Sequence, residues 1–197
     1  MSYSDEFKES IEKPEQFWFR QAEKIDWIKF PEKILTQDER GFYRWFEGGS
    51  LNTCYLALDQ HVNNGRGNQP ALIYDSPVTD QKQTFTYDQL LEQTALFAGA
   101  LVDLGVGKGD RVIIYMPMVP ESVIAMLASN ELAIRIDDAK PKVIVSATCG
   151  IEFTNVIPYK PLLDAAIESA KNKPAHTVIL KRPQADCTMV AGRDYDW

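Results

Sequence analysis

The sequence predicts an α/β fold, in which a mostly parallel sheet with flanking helices follows an irregular, helical N-terminal extension. From Pro70 onward, short apolar segments alternate with amphipathic ones, as strands and helices alternate in folds of this class. Before that point aromatic residues are frequent, but the period-two alternation typical of strands is weak. With 197 residues, 45% of them hydrophobic, the chain can bury a sizeable core.

The N-terminal extension, up to about Leu58, is rich in aromatic side chains. Residues 14–24 predict a helix that brings Phe17, Trp18 and Ala22 close together, because residues about four positions apart share a helix face. We expect these aromatic side chains to form a packing surface and not a ligand site.

The first part of the α/β pattern has clear local signatures. Residues 71–75 (ALIYD) predict a short apolar strand. Thr86 and Gln89 predict a capping box at the start of a helix, because each side chain can bond to the backbone N–H of the other residue. Gly105 is expected to end that helix. The helix has an apolar stripe formed by Leu90, Leu91, Ala95, Phe97, Ala98, Leu101 and Leu104.

The second part continues the alternation. Residues 111–117 (RVIIYMP) predict a buried strand, because they are apolar without alternation, and a helix is expected at 121–128. A strand at 142–146, a helix at 162–170 and a strand at 176–180 follow. These elements predict a parallel sheet with helices against it.

The alternation breaks at one place. The helix that ends near Ala128 runs through Ser129 and Asn130 into a second helical segment at 131–140, with no strand between them. A parallel sheet normally returns through a strand after each helix. Either the two helices form a hairpin, or residues are missing here.

Composition excludes several classes of function. The chain has 21 basic and 28 acidic residues, so its net charge of -7 favours neither nucleic acid nor an anionic membrane as a partner. No apolar run approaches the roughly 18 residues of a membrane span, and the first residues form no signal peptide. Cys54, Cys149 and Cys187 form no metal-binding or CxxC pattern, which indicates reduced thiols and a cytoplasmic protein.

Three features suggest chemistry, but structural roles explain them better. Residues 104–110 (LGVGKGD) are glycine-rich, yet they follow a helix and have Asp110 where a phosphate loop needs Ser or Thr, so a helix stop and turn is expected. His61 and His176 lack a carboxylate pattern and are interpreted as structural. The carboxylates at 137–138 diverge on a helix and are interpreted as a solvated helix end.

Residues 45–62 (WFEGGSLNTCYLALDQHV) resemble the WF-x-GG-x-LN-x-x-Y-x-x-LD-x-H signature of acetyl- and propionyl-CoA synthetases. Residues 85–128 are similar to a segment shared across the adenylate-forming superfamily, and 135–167 resemble the propionate branch. The resemblance implies the N-terminal part of an AMP-forming short-chain acyl-CoA synthetase, incomplete in this chain. It implies an N-terminal extension at 1–69 and a first α/β subdomain of the AMP-binding domain at 70–197.

The resemblance also implies what the whole enzyme does. ATP would activate acetate or propionate as an acyl-adenylate, and the CoA thiol would then displace AMP, with Mg²⁺ as a further cofactor. The phosphate loop, the ribose-binding aspartate and the C-terminal lysine of the family have no counterpart in this sequence. We therefore expect no catalytic residue here, no tight binding of these cofactors and no activity of the chain alone.

Compared with the family, the sequence lacks a strand and a Gly-Gly-Phe segment between the helix ending at Ala128 and the next helix. We expect an internal gap at 128–131, through deletion or omission from the numbering. The alternative function is a non-catalytic domain that acts as a scaffold or interaction module. In either case we expect self-association through apolar surface that the missing parts would cover.

One segment resembles a CoA-binding loop. Residues 150–160 (GIEFTNVIPYK) are similar to a loop in which acetyl-CoA synthetases carry two arginines that meet the phosphorylated end of CoA. Here those positions are Glu152 and Asn155, which are not cations. We predict a CoA-side loop at Glu152, Phe153 and Asn155, with Lys160 or another base elsewhere supplying the positive charge.

Overall fold

The computed structural model describes residues 2–130 and 140–197. The chain divides into two compact units, Met1–Leu56 and Ala57–Trp197. Residues 131–139, which include the predicted second helix and the carboxylates at 137–138, lie outside the described residues.

The first unit begins with two helices, α1 (Tyr3–Glu12) and α2 (Pro14–Ala22), so the helix predicted near residues 14–24 is confirmed. The guanidinium of Arg20 joins them by donating to both carboxylate oxygens of Glu9, at 2.8 and 2.7 Å. Pro14 stands at the first helical position, where its missing N–H leaves no intrahelical bond unmade.

An antiparallel hairpin follows, formed by β1 (Lys33–Gln37) and β2 (Tyr43–Glu47), before α3 (Thr53–Ala57). The sequence analysis did not predict these strands. Aromatic side chains occupy successive positions of β2, and this hides the period-two signal. Ring centroids lie 5.7 Å apart for Trp18 and Trp45 and 5.5 Å apart for Trp27 and Phe46, so the aromatic side chains pack on one another as expected.

The second unit begins with a short helix α4 (Asp59–His61), a π-helical turn (Val62–Arg66) and a hairpin of β3 (Pro70–Ser76) and β4 (Gln81–Thr86). The predicted strand at 71–75 is confirmed within β3. However, it pairs antiparallel with β4 and lies outside the parallel sheet. Strand β4 was not predicted, because QKQTFT is polar and its first four residues are exposed.

Helix α5 (Tyr87–Asp103) has the predicted capping box. The Thr86 hydroxyl accepts the Gln89 N–H at 3.3 Å, and the Gln89 side-chain oxygen accepts the Thr86 N–H at 2.9 Å. Gly105 follows with φ 81°, a left-handed conformation that glycine adopts without steric cost. Buried positions on the helix are Leu90, Thr94, Phe97 and Leu101.

Four strands form the parallel sheet, in the order β10, β9, β6, β5. They are β5 (Val112–Tyr115), β6 (Val143–Ala147), β9 (His176–Leu180) and β10 (Asp194–Asp196). Every residue of β6 is buried, as expected for a central strand covered on both faces. The parallel sheet is therefore confirmed, although the short polar strand β10 was not predicted.

Two helices accompany the sheet, α6 (Pro120–Asn130) and α7 (Tyr159–Ser169). Leu163 and Ile167 of α7 pack on Ile144 of β6 and Ile179 of β9, and these four residues form a buried apolar cluster. Burial of such side chains contributes about 1.5–3 kcal/mol each. A small antiparallel hairpin, β7 (Gly150–Glu152) and β8 (Asn155–Ile157), lies between β6 and α7.

Candidate functional site

A cleft of about 580 Å³ opens in the second unit beyond the carboxyl ends of the parallel strands. The segments that leave β5, β6 and β9 contribute Met116–Met118, Ile151–Glu152 and Arg182 to its walls. Residues 74–79, at the turn between β3 and β4, form another wall. Ligands of parallel α/β sheets bind beyond the carboxyl ends of the strands, so the topology favours this cleft as the binding site.

The predicted CoA-side loop is the β7–β8 hairpin, and its three residues have different positions. Glu152 lines the cleft and pairs across the hairpin with Asn155. Phe153 stands at the tip with 86% of its surface exposed and a φ of 52°. A positive φ is an unfavourable conformation for a bulky side chain, and strained residues of this kind occur most often at functional sites.

Aromatic packing fixes the base of this hairpin. The rings of Tyr115 and Tyr159 stack with centroids 4.7 Å apart. Gly150 lies under the Tyr159 ring so closely that an added Cβ would come within 2.6 Å of a ring carbon. The Ser146 hydroxyl donates to the Tyr115 carbonyl at 2.8 Å and joins the ends of β5 and β6. The cleft therefore rests on a rigid edge of the sheet.

Among the described residues that line the cleft, Arg182 is the one cation. Its backbone N–H donates to the Thr148 hydroxyl at 3.0 Å, and its Nη1 donates to the Cys149 carbonyl at 2.9 Å. The side chain is half-buried, and no carboxylate lies within 4.0 Å of its guanidinium among residues 2–130 and 140–197. It is thus fixed in place while its remaining N–H groups are available to an anion.

Lys160, the alternative cation named from the sequence, does not line the cleft. Only 1% of its side chain is exposed, and its ammonium contacts Asp164 at 2.6 Å and Asp194 at 2.9 Å. Arg193 contacts the same two carboxylates. The expectation that Lys160 could meet a ligand is therefore wrong, because the ammonium is buried and already paired.

Asp194 is the centre of this charge cluster. Burial by itself would raise the pKa of its carboxyl group, but hydrogen bonds from Arg193, the Thr177 hydroxyl, the Val190 N–H and Lys160 outweigh burial and lower the pKa well below its usual range. The Thr177 bond is 2.6 Å long and the Val190 bond 2.8 Å. The cluster ties α7 to β9 and β10, which indicates a structural role.

The glycine-rich segment 104–110 is a turn, as predicted. Asp110 accepts the Gly107 N–H at 2.9 Å and the Lys142 ammonium at 3.0 Å, and these contacts lower the pKa of its carboxyl group. Asp110 therefore stabilises the turn before β5. Gly105 and Gly109 have φ values of 81° and 92°, as a turn of this shape requires.

The surroundings of the histidines and cysteines indicate structural roles. His61 packs on the Tyr87 ring at 4.7 Å and contacts Arg66, and His176 meets Tyr195 edge to face at 5.3 Å. The cysteines are reduced; Cys54 and Cys149 are buried and Cys187 is partly buried. Burial raises the pKa of the Cys187 thiol, which makes it a poor nucleophile.

Two further observations concern the described residues only. They contain no group of three or more His, Cys, Asp or Glu side chains placed to hold a metal ion. Within the same ranges, no helix is both long and apolar enough to cross a membrane.

Sequence reasoning missed Arg182, although a signal was present. Lys181 and Arg182 directly follow the apolar strand β9, and a basic pair at the carboxyl end of a parallel strand is well placed to meet an anion. The signal was incomplete, because the sequence does not show which of the two is paired. Lys181 contacts Asp196 at 2.7 Å, whereas Arg182 has no such partner among the residues described.

Two family models match this chain. A model described as acetyl-coenzyme A synthetase N-terminus matches residues 3–57, and a model described as AMP-binding enzyme matches residues 58–136. The structure is similar to acetoacetyl-CoA synthetase from Streptomyces lividans, with a TM-score of 0.80 over 100% of this chain and 32% of that one. At 20% sequence identity, this likeness supports the fold alone.

Several curated proteins are similar in sequence. The chain is 48% identical over 213 residues to an uncharacterized protein of Pseudomonas aeruginosa, covering 100% of this chain and 34% of that protein. It is 43% identical over 212 residues to the human mitochondrial acyl-CoA synthetase short-chain family member 3, and the alignment covers 99% of this chain and 31% of that protein. It is 40% identical over 216 residues to propionate–CoA ligase of Salmonella typhimurium, and the alignment covers 100% of this chain and 34% of that protein. The chain spans about a third of the length of these relatives.

Proposed function

Since the chain belongs to the short-chain acyl-CoA synthetases and corresponds to their N-terminal region, we propose that it is part of an AMP-forming acid–CoA ligase. In this proposal it supplies one wall of the CoA site. The whole enzyme activates acetate or propionate with ATP as an acyl-adenylate and transfers the acyl group to CoA. The cleft beyond β5, β6 and β9 carries the proposal, because it combines a rigid sheet edge with Arg182, a cation that has no carboxylate partner among the described residues.

In this proposal the chain binds one substrate and performs no bond-making step. Glu152, Phe153 and Asn155 form the rim of the CoA site, and Phe153 offers an exposed ring that can pack on the ligand. The acid, ATP and Mg²⁺ bind residues of the enzyme that are not in this sequence. We place the enzyme in the cytoplasm, and the chain alone is expected to turn over no substrate and to bind CoA weakly.

The replacement of Phe153 by glycine tests the assignment of the rim. Glycine removes the strain of the positive φ, so the variant should be about 1 kcal/mol more stable than the parent chain. It also removes the exposed ring, so it should bind CoA more weakly. The free energy of unfolding would be measured by urea unfolding. The affinity for CoA would be measured from amide NMR shifts during a CoA titration into the millimolar range.

The same titration locates the ligand. We expect CoA to shift the amide signals of Met116, Met118, Glu152 and Arg182, all of which line the cleft. Val102 on α5, which is exposed but does not line the cleft, serves as the reference signal. A parent chain with no CoA-dependent shifts, or with shifts only outside the cleft, would contradict the proposal.

We also propose the division into an extension at 1–69 and a first α/β subdomain at 70–197. Residue Pro70 begins β3, the first strand of the α/β part, while the compact units and the two family models divide near residue 57. Limited proteolysis followed by mass analysis tests the division: a stable product that begins near residue 70 would support it, and one that begins near residue 57 would contradict it.

We propose that the internal gap lies at 128–131. Alignments with the relatives extend over 212 to 216 positions for a chain of 197 residues, so the relatives carry residues with no counterpart here. The native gene sequence, together with the intact mass of the native protein, distinguishes a deletion from an omission. A continuous gene and a mass of 22.3 kDa would mean that the residues are truly absent.

A second candidate function is a scaffold or interaction module that associates with itself. Helix α1 has no buried residue, and Tyr3, Phe7 and Ile11 form an exposed apolar stripe on one of its faces. Replacing Phe7 by glutamate should lower the fraction of dimer in sedimentation velocity, whereas replacing Lys8 by glutamate on the same helix should not. A parent chain that stays monomeric at high concentration would contradict self-association.

A further inference from the structure

Helix α1 carries an apolar stripe that its own unit does not cover. Tyr3, Phe7 and Ile11 are 84%, 56% and 63% exposed, and no residue of the helix is buried. The rings of Tyr3 and Phe7 stack with centroids 6.3 Å apart, so the α1 stripe is a continuous surface. Exposed apolar surface bordered by polar residues is typical of interaction sites.

The α1 stripe faces away from α2. The carboxylate of Glu9 accepts both hydrogen bonds from Arg20 of α2, so Glu9 lies on the side of α1 that faces α2. Successive helical residues are roughly 100° apart, which places Glu9 about 160° from Phe7, the middle of the stripe. The ion pair therefore holds α1 with its stripe turned outward, where a second molecule can reach it.

The same unit has a groove of about 580 Å³ between α2 and β1. Its apolar part is formed by Phe19, Pro31 and Ile34, of which Pro31 and Ile34 are buried. Phe19 is exposed and packs edge to face on Phe30, with ring centroids 5.6 Å apart. A groove of this size, with apolar and charged walls, has the form in which an amphipathic helix docks.

The groove has one cation without an ion pair. Two of its ionisable residues, Arg20 and Glu32, are paired with side chains outside the groove. Glu15 lies in the first turn of α2, where the helix dipole stabilises a carboxylate. Within residues 2–130 and 140–197, no carboxylate lies within 4.0 Å of the Lys33 ammonium. Lys33 is therefore available to an anionic group of a partner.

Glu6 places a carboxylate beside the α1 stripe. It lies about 100° from Phe7 around the helix axis, at the edge of the apolar face. In the described part of the chain, no cation lies within 4.0 Å of its carboxylate. Lys8, at the other edge, contacts Glu12 of its own helix at 3.8 Å. The free carboxylate beside the stripe thus complements the free ammonium of the groove.

We propose that the α1 stripe of one copy docks in the groove between α2 and β1 of a second copy, with Glu6 of the first copy against Lys33 of the second. Two copies exchange this contact reciprocally, so the product is a closed dimer. The inference rests on the second candidate function, self-association, and names the surface that receives the stripe. An arrangement in which two stripes pack on each other would leave the groove unused.

The test measures the dimer dissociation constant of the full 197-residue chain by sedimentation velocity. Lys33→Glu places a carboxylate opposite Glu6, so the dissociation constant should rise about tenfold, because a reciprocal dimer contains the repulsive pair twice. Glu6→Lys should have a similar effect. The double variant restores attraction with the charges exchanged, so its dissociation constant should lie within about threefold of the parent value.

Two further variants serve as controls. Lys24→Glu reverses an exposed charge of the same unit outside the groove, so it should leave the dissociation constant unchanged. Phe19→Ala removes an apolar wall of the groove without changing the charge, so it should weaken the dimer. Thermal unfolding of each variant shows that it is folded under the conditions of the measurement.

Mixing two variants tests whether the stripe and the groove belong to different copies. Phe7→Glu has a defective stripe and an intact groove, whereas Lys33→Glu has an intact stripe and a defective groove. A heterodimer of the two contains one intact contact, and either homodimer contains none. We therefore expect the equimolar mixture to contain more dimer than either variant alone at the same total concentration.

The possible failures are distinguishable. If the parent chain dimerises and the folded groove variants keep the parental dissociation constant, the stripes pack on each other, and the inference fails while self-association stands. If the double variant is as weak as Lys33→Glu alone, the contact between Glu6 and Lys33 is wrong. If the parent chain stays monomeric, self-association fails and the inference fails with it.

Discussion

Replacement of Lys160 by methionine tests the energetics of the buried charge cluster. Lys160 contacts Asp164 and Asp194, and Arg193 contacts the same two carboxylates, so two cations balance two anions. Methionine fills a similar volume but leaves two carboxylates with one guanidinium. We expect the free energy of unfolding to fall by about 3 kcal/mol.

The magnitude follows from the surroundings of each carboxylate. Removing one partner of a buried ion pair costs about 3–5 kcal/mol, because the remaining charge is left uncompensated in a medium of low polarity. The side chain of Asp194 has no exposed surface, but it keeps its bonds from Arg193, Thr177 and the Val190 N–H. Asp164 is 36% exposed and can turn to water. The lower end of the range therefore applies.

A second substitution checks the reasoning. Adding Asp164→Asn to Lys160→Met restores the balance of one cation and one anion, so the double variant should be more stable than the sum of the two single effects predicts. Lys181→Met serves as the control, because Lys181 belongs to an exposed ion pair and its loss should change stability little.

Urea unfolding followed by far-UV circular dichroism measures these changes, with the slope of the transition compared between variants. An unchanged slope means that the variants differ in stability and not in the surface exposed on unfolding. A Lys160→Met protein within about 1 kcal/mol of the parent would refute the reasoning, because it would mean that desolvation of the four charges cancels their attraction.

Three further predictions use the same unfolding assay. Gly150→Ala should lower stability by about 1–3 kcal/mol, because its Cβ would meet the stacked ring of Tyr159; an unchanged midpoint would show that the ring can move. Thr86→Ala should cost about 1 kcal/mol through loss of the cap, and Thr84→Ala on the exposed strand β4 should cost less; equal losses would contradict the capping role. Because the folded pKa of Asp194 is lowered, the unfolded chain takes up its proton first as pH falls. The contribution of Asp194 should therefore be complete above about pH 4 and decline at lower pH, and an Asp194→Asn variant should lack this part of the acid dependence.

Elements with a strong local signal could be predicted from the sequence. The capping box at Thr86 and the stop at Gly105 depend on residues within a few positions of one another, and both are confirmed. The strand at 142–146 was predicted because it continues the alternation of strands and helices, and β6 confirms it.

Pairing partners far apart in the chain could not be predicted in this way. Strand β4 is polar and β10 has three residues, so both are defined by the strand beside them and not by their own composition. The burial of Lys160 is a similar case. Asp164 lies one helical turn from Lys160, so this pair can be predicted from the sequence. Asp194 lies on the last strand, far away in the chain, and its contact with the ammonium completes the burial of Lys160.

The net charge of the whole chain and the local charge of the cleft affect the binding of different ligands. A net charge of -7 argues against a polyanionic partner, which needs a continuous basic surface. A single phosphate responds to charges within about one Debye length, roughly 8–10 Å, so it depends on which nearby cation is unpaired and not on the total. Lys160 is paired with two carboxylates and Lys181 with one. Of these three cations, only Arg182 has no carboxylate partner in the described part of the chain. In the proposed CoA site, the negative net charge of the chain therefore does not oppose a phosphorylated ligand, because Arg182, which lines the cleft, has no carboxylate partner among the described residues.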